Sequence, residues 1–328
     1  MRCLYSIAVN VPSSQANANG IIFASQVVDP LNPSNRHEPH LPFASRFQKQ
    51  SILEMPAAPE QAWAKVHPEV PKGKVINTSL DSQILGSTEE LSVYTPADYN
   101  EGHDNSLFIL FDRLEYTTLI PAPTILDNLI AQKKIPATVA VLIEFPEPQD
   151  DTRTKQLACN PKFTEFLKSE LLPWVKKNYH VKIDPKHIVV GGSSRGGLAA
   201  ACAGLHQPDT FRNILSQSGS FWWTQASDAH YFDEKLAPDD PDNELGDAIK
   251  MFRDSPKLPL RFYMEAGSLE IDLDGKDFSL LMPSRHLRDV LMAKGYEVHW
   301  HQFRGGHDYL SWRGTLADGL MALSNERK

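Results

Sequence analysis

The stretch HIVVGGSSRGGLAAACAGL, residues 187–205, constrains this chain more than any other. An apolar run at 187–190 passes through a glycine-rich turn directly into an alanine-rich helical pattern at 197–205. A buried strand that turns so abruptly into a helix belongs to a sheet with helices packed on its faces. Within it, Gly192-Ser193-Ser194-Arg195-Gly196 matches G-x-S-x-G, the strand–turn–helix signature of an exposed nucleophilic serine. The serine of such a turn takes backbone angles strained for most residues, so its neighbours two away should lack side chains that would collide. The helix that follows aims its first N–H groups at the place where negative charge would develop on a substrate oxygen. Ser193 is out of register with the flanking glycines, which leaves Ser194 as the candidate nucleophile.

The flanking pattern agrees. Apolar runs of strand length occur at 107–111 (LFILF) and 138–145, and strands are expected again at 213–215, 260–265 and 297–303. Helical spacing of Phe163, Phe166, Leu167, Leu171 and Trp174 predicts a helix over 163–177, and another is expected over 284–293. Strand and helix in repeated succession mean parallel pairing. Residues 75–81 and 91–94 read instead as an antiparallel pair turning at Gly86 and Ser87. Residues 1–71 are rich in Pro, Ser, Asn and Ala and read as extended segments and loops, which leaves 72–328 as the main domain.

A serine nucleophile needs a base within hydrogen-bond reach and a third group to orient that base. With this turn, the chain order is serine, acid, histidine. The histidines beyond the turn are His206, His230, His286, His299, His301 and His307. His206 falls at a helix end. His299 and His301 alternate along a strand and lack the carboxylate or cysteine set that a metal site would need. His307 sits in RGGHDYLSW, on a glycine loop after the last strand and before a C-terminal helix, facing the same rim as Ser194. For the acid, Glu270 follows the glycine turn at the end of strand 260–265. Asp272 is the alternative, and a pair without an acid stays open.

Composition excludes some partners. A net charge of −8 argues against broad nucleic-acid binding, and no apolar run approaches the ~18 residues that span a bilayer. Cys3, Cys159 and Cys202 are odd in number and widely spaced, so neither a disulfide framework nor a zinc site is expected. A reducing, cytoplasmic setting follows from that reading. The apolar stretch near the N-terminus is short and broken by Asn10 and Pro12, a poor leader sequence.

Several segments carry a family resemblance: SILEMPAAPEQAW, DTRTKQLACNPKF, LLPW at 171–174, SQSGSFWW at 216–223, EAGSLE and GGHDYLSWRG. In these the chain resembles the enterochelin (enterobactin) esterases, within the wider esterase D-like group of α/β-hydrolases. The resemblance covers residue 48 to the C-terminus. It implies an α/β-hydrolase fold, with a mostly parallel central sheet, helices on both faces and a short irregular N-terminal segment. It also implies an esterase that opens the trilactone of catecholate siderophores. On this pattern Ser194 matches the nucleophile, His307 the base and Glu270 the acid. The backbone N–H groups of Leu114 and Arg195 match the oxyanion donors. Arg153, Asn160, Trp222 and Trp223 match positions near the pocket. No resident metal or organic cofactor is implied, since iron belongs to the substrate.

The chain departs from the family at three arginines. Arg113 stands where the family usually has glycine, Arg195 where it has Phe or Met, and Arg304 where an acid is common. Family members also carry an N-terminal β-sandwich, of which only a tail at 27–35 is matched. A ferric tris-catecholate is anionic, so Arg113, Arg153, Arg195, Arg304 and Arg313 are expected as its cationic contacts, by planar hydrogen bonding and ring stacking. Tyr94, Tyr116 and Trp312 are expected in the core or at the rim. The alternatives are an esterase of the same fold for feruloyl, acetyl or other acyl esters, and a siderophore binder without catalysis.

Overall fold

The computed structural model describes residues 2–5, 7–8, 26–32, 51–99, 105–145, 151–225, 246–271 and 279–324. Four short strands come first: β1 (Arg2–Tyr5), β2 (Ile7–Ala8), β3 (Gln26–Val27) and β4 (Ser51–Glu54). β1 pairs antiparallel with β4 and β2 with β3, so part of the stretch expected as extended segments and loops is paired strand. The next eight strands are β5 (Lys74–Ser82), β6 (Ser87–Thr95), β7 (Ser106–Phe111), β8 (Thr138–Ile143), β9 (Ile188–Ser193), β10 (Asn213–Gln217), β11 (Arg261–Gly267) and β12 (Glu297–Phe303). They form one sheet, in the order β12-β11-β10-β9-β7-β8-β6-β5. The six strands from β12 to β8 run parallel; β6 and β5 join antiparallel.

Both faces of the parallel part are covered, which is why its strands read as continuous apolar runs. Along β7, Leu107, Ile109 and Phe111 enter one core while Phe108 and Leu110 enter the other; Val139, Val141 and Ile143 alternate likewise with Ala140 and Leu142 in β8. Helices α1 (Arg113–Thr118) and α2 (Ala122–Ala131) follow β7, and α3 (Thr152–Leu157), α4 (Pro161–Phe166) and α5 (Leu172–Asn178) follow β8. Then come α6 (Arg195–His206), α7 (Asp247–Asp254), α8 (Leu281–Ala293) and α9 (Tyr309–Ser324). α2 and α9 fill one core through Ile125, Leu126, Leu316 and Leu320. The other core takes Phe163 and Phe166 of α4, the alanines of α6, Phe252 of α7 and Leu287 of α8. A π-helical turn at Leu167–Leu171 joins α4 to α5. Its cause is local: Pro173 has no N–H for the carbonyl four residues earlier.

The stretch from 51 to 71 is fastened to the domain rather than trailing from it. Gln61 donates from Nε2 to the Leu310 carbonyl at 2.7 Å and accepts from Arg313 Nε at 2.7 Å. Asn128 of α2 donates to the carbonyls of Trp63 and Lys65. Arg313 is therefore engaged with the N-terminal segment. Among the described residues no helix is long and apolar enough to cross a membrane.

The cysteine reading needs correcting. Cys159 and Cys202 form a disulfide, with Cα atoms 5.3 Å apart, joining the α3–α4 loop to α6. An odd count spread along the chain hid a pair that only the fold brings together, and the argument for a reducing compartment loses its premise. Closing a loop of sequence separation 43 removes unfolded-chain entropy worth up to about 4 kcal/mol. Urea unfolding with and without dithiothreitol checks this: the reduced protein should unfold at distinctly lower urea. Cys202→Ala should be as weak as the reduced wild type and indifferent to the reductant. Identical midpoints in all three would show that the bridge contributes nothing.

Candidate active site

Three neighbouring strands of the sheet end in the same unusual way. β7, β9 and β10 are each followed at once by a non-glycine residue in the left-handed region: Asp112 (φ 64°), Ser194 (φ 55°) and Ser218 (φ 50°). Such conformations cost of order 1–3 kcal/mol and persist where the surroundings over-determine them. Here the neighbouring strand ends do so. Ser194 N–H donates to the Gln217 carbonyl at 2.9 Å, and Ser218 N–H donates to the Glu265 carbonyl at 2.9 Å. The Ser194 carbonyl in turn accepts from Ser220 N–H at 3.0 Å and from Leu198 N–H at 3.2 Å.

The elbow is tight for reasons the sequence only half disclosed. A Cβ on Gly192 would lie 2.9 Å from the backbone of Gly196, and one on Gly197 would lie 2.5 Å from Ser216 Oγ. At Gly196 a Cβ would meet nothing closer than 3.5 Å. The glycines the turn requires are thus Gly192 and Gly197, rather than the pair two residues to either side of Ser194.

Ser194, His307 and Glu270 meet in one line. Ser194 Oγ lies 3.0 Å from His307 Nε2, and His307 Nδ1 lies 3.4 Å from Glu270 Oε2. Glu270 is wholly buried, with Oε1 accepting from Ser218 Oγ at 2.6 Å and from Gly267 N–H at 3.0 Å. Ser220 Oγ stands 3.3 Å from Ser194 Oγ. The Trp312 ring meets the His307 ring edge-on, with centroids 4.8 Å apart. Asp272, the alternative acid, and His230 lie outside the described residues. Of the other histidines, His206 ends α6 beside Thr164, His286 is exposed on α8, His299 pairs with Glu297 and His301 with Glu265.

Arg195 is the first residue of α6, and Leu114 lies in the first turn of α1, just past the strained Asp112. The side chains expected to bind substrate are dispersed. Arg153 makes a bidentate pair with Asp112, at 2.6 and 2.7 Å, and Arg113 pairs with Glu144 at 2.9 Å. Both guanidiniums are answered by a carboxylate of the protein itself. Asn160 caps α4, accepting from Lys162 N–H and donating to the Lys155 carbonyl. Trp223 is buried in the core, a correction that strand-end geometry explains, since its backbone bonds Ser220 and Asp247 and turns the indole inward. Trp222 is half-buried with the Arg195 guanidinium 5.4 Å above its ring, and Arg304 is exposed. Sequence reasoning missed Ser218 and Ser220; their one signal was the small-residue run SQSGS directly after a strand.

Beneath the α1 turn lies Glu115, 8% exposed. Burial pushes its carboxyl up to about 8, with the Asp112 charge adding to the shift and Arg153 opposing it.

Against known proteins, the family model named Esterase matches residues 82–323. The chain belongs to the esterase family. The iron(III) enterobactin esterase of Dickeya dadantii (strain 3937) is 32% identical over 309 residues, 92% of this chain and 66% of that one. The chain thus spans about two thirds of the length of that relative. The enterobactin esterase of Shigella flexneri, solved in the presence of enterobactin, matches with a TM-score of 0.77 at 26% identity, over 98% of this chain and 78% of that one. A feruloyl esterase module from Clostridium thermocellum shares the fold alone, with a TM-score of 0.59 at 16% identity, over 83% of this chain and 95% of that one. The sheet order and these matches make the architecture the α/β-hydrolase fold.

Glu115 gives this member of the esterase family a testable pH dependence. Above the ordinary glutamate value of 4.5 the unfolded chain has lost this proton while the folded chain keeps it, up to about 8. The folded state binds more protons in that window, so stability falls as pH rises through it. Glu115→Gln removes the effect. Its melting temperature relative to wild type should climb between about pH 5 and pH 8 and level off above. A difference that stays flat across that range would show Glu115 to be ionised in the fold.

Proposed function

We propose that this chain is a serine esterase that hydrolyses the ester bonds of a catecholate siderophore trilactone, releasing iron from its ferric complex. One observation carries the chemistry: the Ser194 hydroxyl, His307 and the buried Glu270 in a single hydrogen-bonded line. Ser194 Oγ attacks the ester carbonyl while His307 Nε2 takes its proton. Glu270 holds the imidazole with Nδ1 protonated and stabilises the imidazolium that forms. The amides of Arg195 and Leu114 stabilise the oxyanion, an effect typically worth about 10²–10³ in rate per donor. His307 then protonates the leaving alcohol. It next activates water, whose hydroxide displaces Ser194 and releases the acid. No step calls for a resident cofactor; the ferric ion is cargo.

The trilactone reading is supported by enterobactin esterases along most of the chain. The arginines support it less than the sequence promised, because Arg113 and Arg153 are already paired. Arg195, itself buried with its guanidinium 5.4 Å above the half-buried Trp222 ring, and the exposed Arg304 are the remaining cationic candidates for an anionic aromatic ligand.

Chromatographic assay of purified protein on a ferric catecholate trilactone and on a feruloyl ester tests both halves. The trilactone should be the better substrate by kcat/KM, and a reversed preference would move the assignment to aryl esters of other kinds. Ser194→Ala should cut turnover on either by about 10³-fold or more with folding intact. Near-wild-type activity in that variant defeats the mechanism.

A further inference from the structure

We propose that Ser218 and Trp312 are positioning residues, in which the Trp312 indole fixes the direction of the Ser218 hydroxyl and that hydroxyl holds Glu270 in line with His307. The proposal rests on the Ser194–His307–Glu270 assignment and extends it by two side chains that touch no substrate.

Ser218 Oγ has two partners: Trp312 Nε1 at 2.9 Å and Glu270 Oε1 at 2.6 Å. An indole nitrogen can only donate, and a hydroxyl has one proton. Ser218 therefore accepts from Trp312, and its own proton is committed to Glu270. With Gly267 N–H at 3.0 Å, Oε1 receives two donors, which leaves Oε2 turned to His307 Nδ1. The carboxylate accepts, so Nδ1 carries the imidazole proton, and Nε2 presents its lone pair to Ser194 Oγ. The Ser218 bond thus takes its direction from an indole that cannot accept, and the Nδ1 bond from a carboxylate that cannot donate. The 3.4 Å separation at Nδ1 is already long, so a small swing of the carboxylate would break it. The same indole stands edge-on to the imidazole at 4.8 Å, limiting its tilt.

Both residues are themselves held. Trp312 accepts at its carbonyl from Gln217 Nε2 at 3.0 Å and donates its N–H to the Asp308 carbonyl at 3.2 Å. Ser218 is wholly buried and keeps its left-handed backbone although glycine would sit there without strain. A side chain kept at a position suited to glycine points to a task for its hydroxyl.

Ser218→Gly is the sharpest probe, because it removes the hydroxyl while easing the backbone. Steady-state kinetics on a soluble aryl ester should show kcat lowered about 10–100-fold, the scale of one hydrogen bond to a charged group, with KM little changed. The imidazolium loses part of its carboxylate partnership, so the acid limb of the kcat/KM profile should move to lower pH. That shift should match Glu270→Gln in direction and be smaller in size. Trp312→Phe keeps the ring edge against His307 and removes the N–H. It should produce the same signature, and the Ser218→Gly/Trp312→Phe double variant should be no worse than the poorer single one. Folded Ser218→Gly protein with unchanged kcat and acid limb overturns the proposal. So do losses that simply multiply in the double variant. Should Trp312→Phe fail to fold, Ser218→Gly decides alone. Activity retained in Ser194→Ala would instead remove the underlying assignment, a distinguishable result.

Discussion

A carboxylate with almost no exposure, Glu265, organises the ground beneath the site. Its Oε1 accepts from Gln217 Nε2 at 2.8 Å and Thr315 Oγ1 at 2.6 Å, and its Oε2 accepts from Tyr263 at 2.9 Å. An unanswered charge at such a depth would be prohibitive, so the three donors are a condition of the fold rather than an ornament. Through them β10, β11 and α9 are locked together close to Ser218, Glu270 and Trp312. Gln217 precedes Ser218, Glu265 lies five residues before Glu270, and Thr315 lies one turn beyond Trp312. Gln217 also accepts from the buried Tyr116, which extends the network to α1.

Above that layer, strain is placed where parallel strands end. Three of them end in a sharp departure made by a left-handed residue, Asp112, Ser194 or Ser218, and α1 and α6 start directly after the first two. They are adjacent in space because β7, β9 and β10 are adjacent in the sheet. Each lends a side chain to the rim: a carboxylate for Arg153, a hydroxyl for His307, a hydroxyl for Glu270. The backbone bonds that hold Ser194 and Ser218 run to carbonyls of the next strand, so the two turns share supports and cannot be adjusted separately.

What the sequence disclosed follows the range of each interaction. Strand, turn and helix at 188–206 are local, and the elbow could be read from consecutive residues. His307 was legible through chain order and its glycine loop; Glu270 was favoured on the same grounds, with Asp272 and a pair without an acid left open. The arginines were not, because what answers them lies far along the chain: Asp112 is 41 residues from Arg153, and Glu144 is 31 from Arg113. The disulfide escaped for the same reason. Trp223 misled because adjacent tryptophans at a strand end look alike until the turn decides which one faces inward. Helix α2 went unread although Ile125, Leu126 and Leu129 have helical spacing; Pro121 stands at its N-cap and Pro123 in its first turn.

Charge around α1 shows why paired arginines suit this rim better than unpaired ones. The helix carries the Leu114 amide proposed to meet a developing oxyanion, and Asp112, Glu115 and Glu144 crowd the same region. Left ionised and unanswered, three carboxylates would oppose new negative charge on the substrate. Arg153 neutralises Asp112, Arg113 neutralises Glu144, and burial keeps Glu115 protonated through neutral pH. These three acids and the two arginines together carry no net charge. In the proposed mechanism the Leu114 and Arg195 amides would then meet a developing oxyanion with these three carboxylates paired or protonated.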